Sequence, residues 1–189
     1  MPQTHSALHA VLKKYCGPAI VAAVAPVLLL VGNAAAEKPP DEVFAPTTAI
    51  TLPSPQKITA FDISFVDPVI GQYFLADRTN AAVDVVDTGT NTLSTQLKAT
   101  PPFAGATGNN DTSGPDGVIT VNHNEVWAGD GDSTIKVISL LTGMTTHVIK
   151  TGGKNRADEL CLDPRDHLVM MANDAETPFP FVTLISTDT

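Results

Sequence analysis

The 189-residue sequence predicts an all-β protein built from repeated small antiparallel sheets. Beyond the first 36 residues, no window shows the 3.6-residue apolar period of an amphipathic helix. Short β-branched runs, such as 117–121 and 134–140, are instead separated by polar turns containing Asn, Asp and Gly. Three segments that begin at Phe61, Pro115 and Ala157 also share one order of strands and turns. Together these observations indicate a repeat protein made of strands.

Residues 1–36 have the pattern of a secretory signal peptide. A modestly basic segment is followed by an apolar run at 19–32 and by small residues ending at Ala36. The alternative is a membrane anchor, but this run is short for a span of about 20 residues, and Pro26 interrupts it. We predict cleavage after Ala36, no membrane span in the mature chain, and a periplasmic or secreted location.

The charge balance restricts the partners. The sequence has 11 Lys+Arg against 20 Asp+Glu, a net charge of −9, and the predicted signal removes Lys13 and Lys14 but no acid. Such a surface repels nucleic acid phosphates and anionic lipid heads, and it favours solubility. We therefore exclude nucleic acid as a partner and expect cations or cationic ligands to be favoured.

A proline-rich linker at 37–57 follows the signal, and we expect it to contain one short strand at 47–52. Removal of Cys16 with the signal would leave Cys161 as the one cysteine, so no internal disulfide could form. Cys161 lies between two leucines, which favours a buried, unreactive thiol over a nucleophile.

The repeats predict propeller blades. Alignment of the three segments on Ala76, Ala128 and Ala172 gives a period of about 40–55 residues made of several short strands. This period is typical of blades with four antiparallel strands rather than of helical repeats. The predicted blades cover about 58–100, 115–150 and 157–189, and the last one stops at its third strand.

The strand motifs resemble the bacterial exported β-propeller repeats called YVTN-type, relatives of the NHL and WD40 classes. The matching pairs are 73–77 (YFLAD) with 82–87 (AVDVVD), and 126–130 (VWAGD) with 134–139 (TIKVIS). The resemblance covers about residues 58–189 and implies a propeller scaffold. It does not specify an activity, because propellers host enzymes, ligand binders and interaction platforms alike.

Three blades are fewer than the four or more that propellers typically have. We interpret the chain as the N-terminal part of a longer propeller. The alternatives are a ring assembled from two or more chains and a small sheet stack that stands alone. An open stack would leave strand edges exposed, which is an aggregation hazard.

Blade topology places several loops on one face, which we call the mouth. If strands run from inner to outer, the turns after each second strand lie there with the long entry loops 100–114 and 150–157. The rim residues that we single out on this basis are Asp77, Arg78, Asp130 and Asp132. Binding groups commonly occur on such loops.

Three aspartates occupy matching positions at the starts of the inner strands, namely Asp62, Asp116 and Asp158. We expect their carboxylates to point towards the mouth, where Asn173 and Asp174 could add oxygen ligands. Ca²⁺ prefers such oxygens, and propeller lactonases of the gluconolactonase type hold a catalytic divalent ion near the channel. The alternative is that each aspartate caps a turn and accepts hydrogen bonds from loop amides.

Other polar residues receive no chemical role. We expect His123 and His167 to lie in solvated turns on the face opposite the mouth, and Trp127 to pack between blades. Asp67-Pro68 and Asp163-Pro164 read as hairpin turns. No zinc-ligand pattern or serine-hydrolase elbow occurs.

The sequence therefore favours an exported binding or scaffold propeller without an inferable activity, whose partner is a small molecule or an envelope protein. The alternative function is a calcium-dependent lactonase or esterase with its metal at the mouth. A third possibility is a platform for a redox enzyme or another cell-envelope protein. Ca²⁺ is the one cofactor that the residues suggest.

Overall fold

The computed structural model describes residues 45–188, which form three consecutive antiparallel sheets of four, four and three strands. The predicted signal peptide and its cleavage site lie outside the described residues. Each sheet is a meander, in which every strand pairs with its sequence neighbour. This is the architecture of propeller blades, so the predicted all-β blade fold is confirmed.

Blade 1 and blade 2 have four strands each. In blade 1 these are β1 (Ser64–Asp67), β2 (Gln72–Asp77), β3 (Ala82–Asp87) and β4 (Thr92–Leu97). In blade 2 they are β5 (Val118–Val121), β6 (Glu125–Asp130), β7 (Thr134–Ser139) and β8 (Thr145–Lys150). A short 3₁₀ helix, Asn110–Thr112, lies in the long loop between the two blades.

Blade 3 has three strands, β9 (Leu160–Asp163), β10 (Leu168–Asn173) and β11 (Phe181–Ser186). Its sheet order is β11–β10–β9, so β11 is an edge strand among the described residues. The alternation of side chains along each strand gives every blade two faces.

Two apolar cores join the blades. Between blades 1 and 2, Phe74 and Val85 pack against Val126 and Ile138. Between blades 2 and 3 a second core contains Trp127; its other principal members are Ile119, Ile135, Val137, Val169 and Met171. Trp127 is 6% exposed, so its predicted position between blades is confirmed. Each blade thus uses one face for the preceding blade and the other for the following blade.

The backbone corrects the sequence alignment of the middle blade. The amides of Asp62, Asp116 and Asp158 donate to the carbonyl oxygens of Ala76, Gly129 and Ala172, respectively. Gly129, and not Ala128, is therefore the equivalent of the two alanines. A Cβ at residue 129 would lie 2.1 Å from the carbonyl oxygen of Ala157, so the close approach of the two backbones requires glycine. Because glycine replaces the repeated alanine here, the sequence alignment chose the neighbouring Ala128.

Two further expectations were wrong. Residues 47–52 do not form a strand, because no ladder hydrogen bonds pair them with another described strand. Cys161 is exposed rather than buried. Its neighbour Leu160 points into the core between blades 2 and 3, and since side chains alternate along a strand, the thiol lies on the opposite face.

The end of the blades opposite the mouth carries turns, as expected. The Asp67 carboxylate accepts the Val69 amide at 3.0 Å, which closes the turn at Asp67-Pro68. The same carboxylate also accepts the Thr120 hydroxyl at 2.6 Å and lies 2.7 Å from Nδ1 of His123. His123 is half-exposed, yet it links blade 2 to blade 1.

Candidate functional site

The three inner-strand aspartates come together at the mouth. Asp62, Asp116 and Asp158 each offer one carboxylate oxygen, and these three oxygens lie within 4.8 Å of one another. The arrangement follows from the repeat, since the same backbone hydrogen bond fixes each aspartate against the second strand of its own blade. We call these three residues the aspartate cluster.

Arg78 joins two members of the cluster. Its Nη2 contacts both Asp62 Oδ2 and Asp116 Oδ1, while its Nη1 donates to Asn110 Oδ1 at 2.6 Å. The Arg78 side chain is only 9% exposed. The turn after β2 in blade 1 thus supplies the cation, and the 3₁₀ helix of the following loop covers it.

Arg156 holds the third aspartate. Its Nη2 lies 3.2 Å from Asp158 Oδ2 and 2.8 Å from Asp174 Oδ2, and its Nη1 lies 3.2 Å from Asp111 Oδ1. Asp111 and Asp174 are about half-exposed. The entry loop of blade 3, the 3₁₀ helix and the turn after β10 therefore meet at one guanidinium group.

Carboxyl groups outnumber guanidinium groups in this network. Five aspartates surround two arginines, and each cluster member meets its arginine through one oxygen only. Asp116 is fully buried, and its Oδ2 has no hydrogen-bond partner among the described residues. Burial raises the pKa of Asp116 to about 8. The positive charge of Arg78 opposes this rise only in part, and the negative charges of Asp158 and Asp62 add to it.

Burial and neighbouring charges also shift the pKa values of Asp158 and Arg156. Burial raises the pKa of Asp158, while Arg156 opposes the rise and Asp174 adds to it. Burial by itself would lower the pKa of Arg156, but Asp158 and Asp174 raise it overall. The network therefore favours the charged form of Arg156 and the protonated forms of Asp116 and Asp158.

The rim residue Asp130 belongs to a separate, closed pair. Its Oδ2 contacts Lys136 Nζ, its Oδ1 accepts the Ala104 amide at 3.0 Å, and both side chains of the pair are fully buried. Lys136 Nζ also donates to the carbonyl oxygen of Pro102 at 3.1 Å. Asp130 therefore fastens the loop before blade 2 rather than facing a ligand. The neighbouring Asp132 is half-exposed, and its Oδ2 lies 3.3 Å from Lys136 Nζ.

Two other candidates are engaged in local structure. Asp77 is fully buried, and its carboxylate accepts the amide and the side-chain nitrogen of Asn80. Asn173 is also fully buried; its amide oxygen accepts the Thr151 hydroxyl at 2.6 Å and its nitrogen donates to Thr183 at 3.1 Å. Both side chains are therefore engaged in hydrogen bonds within the blades, and neither belongs to the aspartate cluster. Asp174, by contrast, lies at its edge through Arg156.

Sequence reasoning missed the partners of the aspartates. It placed Arg78 on the rim without assigning it a carboxylate, and it assigned no role to Arg156 or Asp111. The missed signal was the scarcity of cations in an acidic chain, because buried carboxylates need nearby positive charge. Chemically, the finished arrangement can bind a cation at the oxygens that the arginines leave free.

No protein-family model matches the chain, and no curated protein matches its sequence. Among solved structures, the computationally designed Ika4 protein matches at 21% identity and a TM-score of 0.44, covering 69% of this chain and 66% of that one. Luciferin-regenerating enzyme matches at 14% identity and 0.49, covering 68% and 45%. The WD40 beta propeller domain of Doa1 matches at 12% and 0.43, covering 69% and 42%.

The chain thus spans less than two thirds of the length of each of these structures. At these scores the matches carry no functional argument. The assignment of propeller blades rests on the meander topology and on the two blade interfaces described above. The YVTN type stays a prediction.

Proposed function

We propose that the chain is an exported propeller-type binding module that takes a cation, or the cationic group of a ligand, at its mouth. One observation carries the proposal. Three successive blades each contribute one carboxylate oxygen to a cluster within 4.8 Å, and the buried Asp116 Oδ2 there has no partner among the described residues. A buried oxygen of this kind is costly unless something binds it.

The geometry suits a divalent cation. Calcium binds oxygen ligands at about 2.3–2.6 Å, so two of its ligands are at most about 5 Å apart. The cluster falls within this limit. Arg78 and Arg156 contact Asp62 Oδ2, Asp116 Oδ1 and Asp158 Oδ2, so each carboxylate still has a second oxygen without an arginine contact.

Export is the second part of the proposal and rests on the sequence of residues 1–36. Within residues 45–188, no helix is long and apolar enough to cross a membrane. A periplasmic or extracellular binding module would meet calcium at far higher free concentration than a cytoplasmic protein, which is consistent with a weak, partly exposed site.

Thermal melting with calcium tests the proposal. At a hundredfold excess over Kd, calcium should stabilise the chain by about 2.7 kcal/mol and raise its Tm. The double variant Asp116→Asn plus Asp158→Asn should lose this rise. The double variant Asp166→Asn plus Asp188→Asn removes the same charge from exposed positions and should keep it.

Calcium could leave the wild-type Tm unchanged while an organic polyamine raises it, with the rise lost in the cluster variant. This result would assign the site to a cationic ligand instead of a metal. If neither probe acts, the cluster is a structural network of arginines and aspartates. The hydrolase alternative places its metal at the same carboxylates, so it would lose its support as well.

A further inference from the structure

The amine of Lys136 and the carboxyl group of Asp130 are in direct contact, and both side chains are fully buried. The ring of Phe103 lies on one side, with its centroid 5.3 Å from Nζ. Gly114 packs so closely against Asp130 Oδ1 that any side chain at residue 114 would collide with this oxygen. Removing two charges from water is costly even when they are paired. A reaction that removes both charges while the site stays closed would therefore stabilise it.

This pair occupies a fixed place in each blade. It joins the last residue of the second strand to the third residue of the third strand. The equivalents are Asp77 with Asp84 in blade 1 and Asn173 with Thr183 in blade 3. Asn173 Nδ2 donates to Thr183 Oγ1 at 3.1 Å, so a contact recurs at this place. Among the three described blades, the second alone puts an amine against a carboxyl group here.

The surroundings of the pair match those of a secondary amide. Such an amide has one N–H donor and one carbonyl acceptor. The carbonyl oxygen of Pro102 accepts from Lys136 Nζ at 3.1 Å, and the backbone amide of Ala104 donates to Asp130 Oδ1 at 3.0 Å. If Nζ were bonded to Cγ of Asp130, each polar atom of the new amide would keep a partner that is already in place. Oδ2, the oxygen that contacts Nζ, would be the one to leave.

We propose that Lys136 and Asp130 condense into an intramolecular isopeptide bond, which ties β6 to β7 at the rim of the mouth. Transfer of one proton from the ammonium group to the carboxylate gives a neutral amine and a neutral acid. The Nζ–Cγ bond then forms, the Cγ–Oδ2 bond breaks, and Oδ2 leaves as one water molecule. The reaction consumes no oxidant, reductant or cofactor, and its product carries neither of the two charges.

Three neighbouring groups assist this condensation. The Ala104 amide donates to Oδ1 of Asp130, so it stabilises the negative charge that develops on this oxygen during attack. Oδ2 of Asp132 lies 3.3 Å from Nζ of Lys136, and this side chain is half-exposed, so it can accept the amine proton and exchange it with solvent. The Thr134 hydroxyl donates to Oδ1 of Asp132, which leaves Oδ2 directed at the amine.

Burial prepares the acid for the same step. Burial raises the pKa of Asp130, while hydrogen bonds from Lys136 and from the Ala104 amide oppose the rise. A raised pKa favours the protonated carboxyl group, from which water is a far better leaving group than oxide is from a carboxylate. Because both side chains are fully buried, bulk water has little access to hydrolyse the finished amide.

Intact mass spectrometry of the purified, denatured chain tests the proposal. The wild type should be lighter than the mass of its sequence by one water molecule. Lys136→Arg keeps the positive charge but removes the amine, so this variant should have its full sequence mass. Lys150→Arg is the matched control, since Lys150 is exposed at the end of β8, and it should still show the loss.

Trypsin digestion locates the bond. An unmodified Lys136 is cleaved and gives the separate peptides 99–136 and 137–150. A condensed Lys136 blocks cleavage and gives the single peptide 99–150, lighter by one water molecule. A succinimide at Asp130-Gly131 loses the same water but leaves Lys136 open to trypsin, so that pattern would overturn the proposal.

Asp132→Asn tests the reaction rather than the fold, because Asp132 is half-exposed and the buried pair stays intact. Water loss should be incomplete directly after purification of this variant and should increase during incubation. Loss as fast as in the wild type would overturn the role of Asp132 as proton acceptor. A wild-type chain that has its full sequence mass and is cleaved after Lys136 would show an ordinary ion pair, and the proposal would be wrong.

Discussion

Two buried aspartates of blade 2 have opposite surroundings. Asp130 is paired with one lysine, and both of its oxygens accept hydrogen bonds. Asp116 shares one arginine with Asp62, faces Asp158 as well, and has one oxygen without a partner among residues 45–188. Both carboxyl groups are fully buried, and burial raises the pKa of each.

The comparison separates a structural site from the proposed binding site. At Asp130, both carboxylate oxygens have hydrogen-bond partners and a lysine is in direct contact, so a ligand has no free oxygen to bind. At Asp116, the carboxyl groups outnumber the cations and a buried oxygen is unsatisfied, so an added cation would improve the site. Breaking the first site should therefore cost stability, whereas altering the second should change the response of the protein to pH and to calcium.

The largest effect is expected at the closed pair. Lys136→Met keeps the apolar stem but leaves Asp130 buried without its cation, which should cost about 3–5 kcal/mol of unfolding free energy. Chemical denaturation measures the loss. Lys150→Met, at an exposed position at the end of β8, should change the unfolding free energy little. Equal losses for the two variants would show that the buried pair contributes nothing specific.

A pH-dependent effect is expected at Asp116. Its pKa is about 8 in the folded chain and near 3.8 when unfolded, so between these values the folded state binds more protons. Its contribution to stability is full below pH 4 and is lost as the pH rises through 8, with a slope of at most about 1.4 kcal/mol per unit. In EDTA, Asp116→Asn should remove this slope. If the stability of the wild type and of the variant changes in the same way between pH 5 and 8.5, the assignment to Asp116 is refuted.

A smaller effect is expected at the opposite end of the blades. Burial alone would raise the pKa of Asp67, but hydrogen bonds from Thr120 and His123 lower it, so its contribution to stability is lost as the pH falls through that lowered value. Asp67→Asn should cost about 1 kcal/mol at pH 7. Asp163→Asn is the matched control, because Asp163 closes the equivalent turn, accepting the Arg165 amide at 3.0 Å. Equal costs would remove the inter-blade role of Asp67.

The elements of the fold could be predicted from the sequence because they depend on local patterns. Alternation at 134–140 puts Ile135 and Val137 on one face of the strand and Ile138 on the other, and the two cores contain them in this arrangement. The repeat also indicated that three aspartates would lie at the mouth. In the structure one carboxylate oxygen of each aspartate lies close to the other two, while their binding role stays a prediction.

The remaining features depend on contacts between distant loops. Arg156 meets Asp111 across 45 residues, and no repeat or short motif records such a pair. The predicted burial of Cys161 was wrong, because flanking leucines indicate a buried residue only where other blades cover both faces of its own blade. The Ala128 alignment failed because a backbone approach at Gly129 replaced the repeated alanine. Each error concerns packing between blades, which a single-strand pattern does not encode.

Calcium titration by isothermal calorimetry tests the central claim most directly. The wild-type chain should bind one Ca²⁺ per copy at the aspartate cluster, Asp116→Asn should weaken binding at least tenfold, and Asp166→Asn should bind like the wild type. Binding that is equal in all three proteins, or heat indistinguishable from dilution in the wild type, would contradict a cation site at Asp62, Asp116 and Asp158.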